Sequence, residues 1–492
     1  MTVIPAADDN SRKPYDAVIQ AIVDYVYDYQ ITTDIAWSRA KVALMDALGA
    51  ALESIHTSPQ CAQLVGPAFP IAPATSGLFR LPGTAYQLDI LKGAFDLGAM
   101  IRYLDHNDAF PGAEWGHPSD NLGAILAVAD VRSRVALAEG DPDSIVTMQQ
   151  VLEALIKAYE IQGCFQIRNA FNKVGLDHTI LVKIGATAVS AWLLDLPREQ
   201  ALSAVSHAWM DGHPLRVYRQ APNTGPRKGW AAGDACMRAV HLALLAKAGQ
   251  PGANTVLTTP RWGFYDVLFK GQEFDLPQPF GTWVIETVLF KVNTAEGHGM
   301  TAVEAALEIA NTLRARGLDP AKDIQSIHAK TQAAGMTIIN KGGATLHNAA
   351  DRDHCLRYMV AVVLLKGAQV ETADYQDDSP WATDPRVDAL RQKITMAEDP
   401  KYTADYHDMA VRSVANSLTV TLTDGTTLPE VLVEYPLGHV RRPETPQEVY
   451  AKAERNLGLR LSTEKVQHIL KTVASEEFMS LPTCHFVNLF SL

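Results

Sequence analysis

The chain has 492 residues, enough for two or three domains around a large core. Its 47% hydrophobic content is that of a soluble globular protein, and a formal net charge of −12 excludes a phosphate-backbone partner. No apolar run reaches the roughly 18 residues of a membrane span, so the expectation is no nucleic acid and no membrane.

Residues 1–14 read as a loose arm without an apolar signal segment or an arginine-rich presequence. The expected location is intracellular: cytoplasmic in a bacterium, with the mitochondrial matrix open in a eukaryote. Apolar residues at helical spacing predict helices over 15–29, 37–52, 87–100, 122–139, 144–162, 177–194, 198–210 and 230–248. Many amphipathic helices joined by short loops describe an all-helical domain. The patterning then changes. Residues 323–331 alternate as a half-buried strand, 353–366 are helical, and 418–435 read as a hairpin turning at Asp424-Gly425. Helices return over 447–457 and 463–474. The fold class is therefore mainly α: a large all-helical domain built from both chain ends (1–284 and 438–492) plus a smaller α/β lid domain (285–437). The five cysteines, Cys61, Cys164, Cys236, Cys355 and Cys484, are widely scattered. They form no C-x-x-C and suggest free thiols in a reducing compartment.

Four polar stretches stand out. Residues 102–124 hold four carboxylates, two histidines, three aromatics and three glycines, and run through His117-Pro118-Ser119-Asp120 into an apolar helix. Ser119 or Asp120 is expected to cap that helix and to leave His117 at its positive end, where an anion is favoured. Residues 172–184 repeat the arrangement with Asp177 as N-cap and His178 as the first helical residue. Residues 216–234 bring Arg216, Arg219, Arg227 and Lys228 to a loop forced by Pro222, Gly225 and Pro226, ahead of a helix beginning near Gly229. Cations there oppose the helix dipole, which suggests that an anion joins them. Residues 288–301 place Lys291, with Glu296 and His298 nearby, at the boundary of the two domains, a favoured setting for a ligand. His354, beside Arg352 and Asp353, is a further candidate. Each stretch read alone is also a capped or solvated loop.

H-E-x-x-H, G-x-S-x-G, P-loop and G-x-G-x-x-G are all absent. What remains are histidines, cations and an aspartate at helix N-termini and a domain boundary, which suits a polycarboxylate substrate. Eliminating water from a β-hydroxy acid needs a base for the carbon acid, an acid for the leaving hydroxyl and cations for the carboxylates. A histidine kept neutral by a helix N-terminus is a plausible base.

The segments LDHNDAFPGAEWGHPSDNLG, FNKVGLDHTILVKIG, YRQAPNTGPRKGWAAGDA, RWGFYDVLFKG, NAADRDHC and TADYHD closely resemble the 2-methylcitrate dehydratases of the MmgE/PrpD family, over about residues 15–490. The resemblance implies a helical domain with an α/β lid, a homodimer, no metal or iron–sulfur cofactor, and a small tricarboxylate substrate. The implied reaction is dehydration of 2-methylcitrate to 2-methyl-cis-aconitate in propionate catabolism, with a side activity on citrate or cis-aconitate. It places Asp105, His117, His178 and Lys291 at the catalytic centre, and Asn107, Asp108, Arg219, Arg227 and Lys228 in substrate binding. The family also holds cis-aconitate decarboxylase, whose substrate-contacting lysine falls near Thr224 here. That activity is the alternative within enzymes. A catalytically silent helical scaffold is the alternative of another class.

Overall fold

The structure, a computed structural model, describes residues 13–69, 77–210, 212–219 and 224–492. The arm expected over 1–14 lies outside these residues up to position 12, and so does Pro222. The fold is mainly α with a small sheet-containing region.

One hydrophobic core gathers apolar residues from Tyr15 to Phe290 and again from Val449 to Phe490. Its centre is the Leu122–Glu139 helix, in which every residue from Leu122 to Asp130 is buried. Apolar and alanine-rich on all sides, this segment can be surrounded by other helices. It stops at Gly140, whose left-handed φ of 69° lets its amide reach back to the carbonyls of Ala136 and Leu137. Met148–Arg168 beside it starts with a capping box between Thr147 and Gln150. Ile90–Arg102, Leu122–Glu139 and Arg227–Lys247 meet at glycines. A Cβ on Gly123 would stand 2.7 Å from the Gly98 nitrogen, and one on Gly98 2.9 Å from the Gly233 Cα. This close approach fixes where Arg102, Lys228 and the turn holding His117 end up.

The chain ends meet in this core. Thr445–Gly458 packs on Asp34–Thr57, and the buried Lys452 ammonium donates to Asp46 Oδ1 at 2.8 Å and to the carbonyls of His106 and Lys291 at 2.6 and 2.7 Å. A second core spans Ala295 to Leu428. It lies between Met300–Ala315, Leu356–Lys366 and a four-stranded sheet ordered Ile394–Glu398, Ile324–Thr331, Asn416–Leu422, Val431–Val433. The first pair is parallel and the other two are antiparallel. Leu418, Val420 and Leu422 are buried while Thr419 and Thr421 are less so, the alternation expected of a strand with one face on a core. The expected Asp424-Gly425 turn is present, with Gly425 at φ 88°.

Several details differ from expectation. Residues 87–88 are a short strand paired with Phe79–Arg80, and the helix begins at Ile90 because Asp89 caps it through the amides of Leu91 and Lys92. The third polar stretch turns helical at Arg227 rather than near Gly229. Neither Ser119 nor Asp120 caps Leu122–Glu139; a 3-10 turn, Pro118–Asn121, leads into that helix, and both side chains are engaged elsewhere.

Candidate active site

A cavity of about 500 Å³ opens where the two cores meet. The helical side contributes Arg102, Asp105, Trp115, His117, Asn172, His178, Arg216, Arg219 and Thr224; the sheet-containing side contributes Glu296, His298, Asn340, Lys341, His354 and Tyr406.

Asp105 is the hub. It follows the end of the Ile90–Arg102 helix with a left-handed φ of 62°, a conformation that a non-glycine residue adopts only when its surroundings enforce it. Here they do. Arg102 Nη1 and Lys291 Nζ both donate to Asp105 Oδ1, and Lys291 also donates to the Asp105 carbonyl at 2.7 Å. Lys228 stands 3.6 Å from Oδ2. Burial pushes the Asp105 carboxyl up, but Arg102, Lys291 and Lys228 outweigh it and hold it well below the ordinary carboxylate range. Burial draws Lys291 below its ordinary value despite Asp105.

The two histidines beside the hub are held differently. Arg102 Nη2 donates to His117 Nε2 at 2.9 Å. Arginine cannot accept, so His117 Nδ1 carries the ring proton and donates to the Asp108 carbonyl at 2.6 Å. His117 is thus a fixed neutral tautomer, and burial together with Arg102 and Lys291 lowers its pKa well below 6.5. His178 faces it, with ring centroids 5.4 Å apart. His178 is 2% exposed and neither ring nitrogen has a hydrogen-bond partner; its Nδ1 lies 3.7 Å from Asp177 Oδ1. Burial lowers its pKa well below 6.5. The helix starts at Thr179 with His178, not Asp177, in the N-cap position, so His178 is not its first helical residue; Asp177, one residue earlier, accepts the amide of Thr179 at 3.2 Å and also the guanidinium of Arg219. Arg216 Nη1 lies 3.3 Å from Glu114 Oε1 and 3.7 Å from Asp177 Oδ2. Burial still pushes Glu114 up to about 7.

The second core adds groups with weaker sequence signals. His354 presents Nδ1 to the Asp353 carboxylate and Nε2 to Asp105 Oδ2 at 3.7 Å. Lys228 also donates to Asp353, at 3.0 Å. Lys341 reaches Thr224 Oγ1 and Asp351 Oδ1, each at 3.5 Å. A cation from the second core therefore reaches the position where the decarboxylase pattern has its lysine. Glu296 accepts from His298 Nδ1 at 2.9 Å, the His298 ring lies 4.0 Å from that of Trp115, and its Nε2 faces the Tyr406 hydroxyl at 3.3 Å.

Of the residues singled out from sequence, Asp105, His117, His178 and Arg219 line the cavity, while Lys228 and Lys291 stand behind Asp105. The boundary expected at 285 puts Lys291 on the lid side, whereas in the structure it follows Phe290 of the first core and its carbonyl accepts from Lys452. Besides Lys228, three expected substrate contacts do not face the cavity. Asn107 and Asp108 are fully buried under the His117 turn, where Asn107 donates to Ser119 and Asp120 and Asp108 accepts the amide and hydroxyl of Ser119. Arg227 instead stacks 4.1 Å over Trp230 and pairs with Asp234 at 3.7 Å. Arg102, Trp115 and Lys341 were not picked out individually. The first two sit inside the polar stretch 102–124; nothing local marks Lys341.

Among the described residues no group of three or more histidine, cysteine, aspartate or glutamate side chains is placed to hold a metal, the five cysteines are free and buried, and no helix is long and apolar enough to cross a membrane.

A two-core fold with histidines and arginines around a central cavity is the frame of an enzyme acting on an anionic substrate. The sequence pattern of the MmgE/PrpD N-terminal domain matches residues 20–277, and that of the MmgE/PrpD C-terminal domain matches residues 294–477. The chain belongs to the MmgE/PrpD family. It is 69% identical to a 2-methylcitrate dehydratase-like protein of Aspergillus oryzae, covering 99% of this chain and 98% of that one. An alkylcitrate dehydratase of a fungal species is 49% identical, with 97% and 94% covered. The 2-methylcitrate dehydratase of Escherichia coli K12 is also 49% identical, with 98% and 99% covered.

Proposed function

We propose that the chain is a 2-methylcitrate dehydratase, a hydro-lyase that removes water from 2-methylcitrate to give 2-methyl-cis-aconitate. The relatives' names support this substrate frame, and one of them extends it to alkylcitrates. The observation that carries the reading is His178: a buried neutral imidazole, free at both nitrogens, lining a cavity that also presents Arg102, Arg216 and Arg219. In this scheme His178 takes the proton from the methyl-bearing carbon. The electron pair of that C–H bond becomes the C=C bond, and the C–O bond on the neighbouring carbon breaks. His354, flanked by the carboxylates of Asp353 and Asp105, gives the proton with which the hydroxide leaves as water. Arg216, Arg219 and Lys341 neutralise the substrate carboxylates. Asp105 holds Arg102, Lys228 and Lys291 in a fixed cationic array, and His117, locked between Arg102 and Asp108, shapes the cavity beside the base.

We further propose that the second core, residues 295–437, works as a lid over the helical body, to which the segment 285–291 of the expected lid contributes Ile285, Val288 and Phe290, since the cavity takes one wall from each core. Homodimerisation and an intracellular location are carried as parts of the same proposal, on the family likeness and on a relative named as mitochondrial. So is independence from a metal, because buried cations stand ready to stabilise the developing charge. The test is absorbance of the conjugated acid product with 2-methylcitrate, citrate and cis-aconitate side by side, with and without a strong chelator. Product from 2-methylcitrate in both conditions is expected. Carbon dioxide release from cis-aconitate without dehydration would replace this reading with the decarboxylase. Activity lost on chelation and restored by iron or zinc would remove metal independence.

A further inference from the structure

A second cavity, of about 460 Å³, lies within the sheet-containing region and shares no lining residue with the catalytic one. Its volume falls in the range of pockets that hold small organic ligands. Three arginines line it, Arg352, Arg357 and Arg391. Arg352 donates to the Tyr375 carbonyl at 2.6 Å and pairs with Asp377. Arg391 donates to Asp388 Oδ1 at 2.5 Å and to the Ala344 carbonyl at 3.0 Å, but its Nε is buried without a partner. Arg357 is less engaged still. Its Nε is also buried without a partner, and among the described residues no carboxylate pairs with its guanidinium. The two carboxylates in the lining are held elsewhere: Asp388 by Arg391, and Asp384 by the cap of its own helix, Pro385–Lys393, and by Arg386 at 2.7 Å. Arg357 also stands in the first turn of Leu356–Lys366, where the helix dipole disfavours a cation. A buried charged donor without a partner is destabilising. A guanidinium so placed is matched best by a phosphate, whose oxygens take two of its donors together. Trp381, half-buried against the second core, lines the same cavity and offers a planar face to a ring.

We infer that this cavity is a regulatory site for a mononucleotide, its phosphate held by Arg357 and Arg391 and its base lying against Trp381. Two short segments join it to the catalytic cavity. In 340–346, Asn340 and Lys341 line the catalytic cavity, while Gly342 to Leu346 line the second. In 352–354, Arg352 lines the second and His354 the first. The Ala344 carbonyl accepts from Arg391, and the Ala344 amide donates to the Lys341 carbonyl at 3.1 Å. Gly342, at φ 55°, and Gly343 leave the backbone between them easy to reshape. A phosphate that fixes Arg391 therefore fixes, through Ala344, the strap that carries Lys341. The nucleotide is expected to hold Lys341 in the catalytic cavity and so to tighten the tricarboxylate. By linkage the tricarboxylate tightens the nucleotide by the same factor. The binding site is independent of the reaction; its effect on KM rests on the dehydratase reading.

The experiment is calorimetry on the full-length chain with adenosine 5′-monophosphate, adenosine and inorganic phosphate. The monophosphate is expected to saturate a single site, and adenosine and phosphate to bind at least about tenfold more weakly, since each keeps only one half of the contact. Arg357→Met is expected to weaken the monophosphate at least about tenfold, the loss of a charge-assisted contact. Gly343→Asp is expected to do the same by repulsion. A Cβ at Gly343 meets nothing within 4 Å, so this variant keeps the test open if Arg357→Met does not fold. Saturating monophosphate is then expected to lower KM for 2-methylcitrate about fivefold with kcat unchanged, and to lose that effect in both variants. No saturable binding, or binding equal in the unaltered chain and the variants, would overturn the site. Displacement of the monophosphate by tricarballylate would put it in the catalytic cavity and overturn the site as well. Inorganic phosphate binding as tightly as the monophosphate would overturn the nucleotide assignment. Binding that needs Arg357 but leaves KM unchanged would overturn the coupling through the strap. A chain inactive on 2-methylcitrate would overturn the dehydratase reading and leave the calorimetric result standing.

Discussion

His178 carries a pH signature. Its folded pKa lies below its unfolded value, chiefly through burial, so below about pH 6.5 the unfolded chain binds a proton that the folded chain does not. The stability this histidine contributes is complete above that pH and is lost as pH falls toward its folded pKa. Other buried groups titrate in the opposite sense, notably Glu114 and Asp120, both raised to about 7 mainly by burial. The clean measurement is therefore a difference. The unfolding free energy of the unaltered chain minus that of His178→Gln is expected to fall by about 1.4 kcal/mol per pH unit below about pH 6.5, read from urea melts at several pH values. A flat difference would mean that His178 is charged in the folded chain. The same variant should lower turnover at least about 100-fold. Lys291→Met tests the hub. Lys291 is 1% exposed and bonded to Asp105, so its loss leaves Asp105 short of a partner and should cost about 3 kcal/mol of stability as well as turnover. An unchanged melting temperature would contradict this account of the hub.

Elements place these residues through contacts that a sequence does not display. Gly98, Gly123 and Gly233 let three helices approach at backbone distance, and Gly123→Ala would put a Cβ 2.7 Å from the Gly98 nitrogen. Backbone cannot yield as a side-chain tip can, so the helices must part. We expect about 1–3 kcal/mol lost, together with a fall in kcat, because Arg102 and Lys228 ride on the displaced helices; a variant with unchanged melting and kcat would show that the crossing is looser. Helix positions were legible because apolar periodicity follows directly from which face is buried, and the hairpin because Asp-Gly favours a left-handed turn. Roles within the site were less so. Ser119 and Asp120 look like caps when judged by sequence neighbours, yet Asp108 and Asn107 reach them first in three dimensions. Arg227 and Lys228 are adjacent in sequence, but the helix turns one toward Trp230 and the other toward Asp105. Lys341 acquires its place only when the second core docks.

At the scale of the whole molecule, the cavity belongs to neither core alone. Arg216 and Arg219 come with the helical body; Lys341 and His354 come with the sheet-containing region. A tricarboxylate held by both sets ties the cores together and stabilises only the arrangement in which both reach it. An unreactive tricarboxylate such as tricarballylate, at about 100 times its Kd, should therefore add about 2.7 kcal/mol to the unfolding free energy and reduce the radius of gyration measured by small-angle scattering. Lys341→Met is the discriminating variant. Its ammonium lines the cavity 3.5 Å from Thr224 Oγ1 of the helical body and 3.5 Å from Asp351 Oδ1 of its own region, so the substitution should weaken tricarballylate at least tenfold and shrink both ligand-induced changes at a fixed concentration, whatever it does to the unliganded melting point. If ligand raised stability equally in the variant and the unaltered chain, with no compaction in either, the anion would be held by the helical body alone, and the sheet-containing region would be a fixed wall rather than a lid.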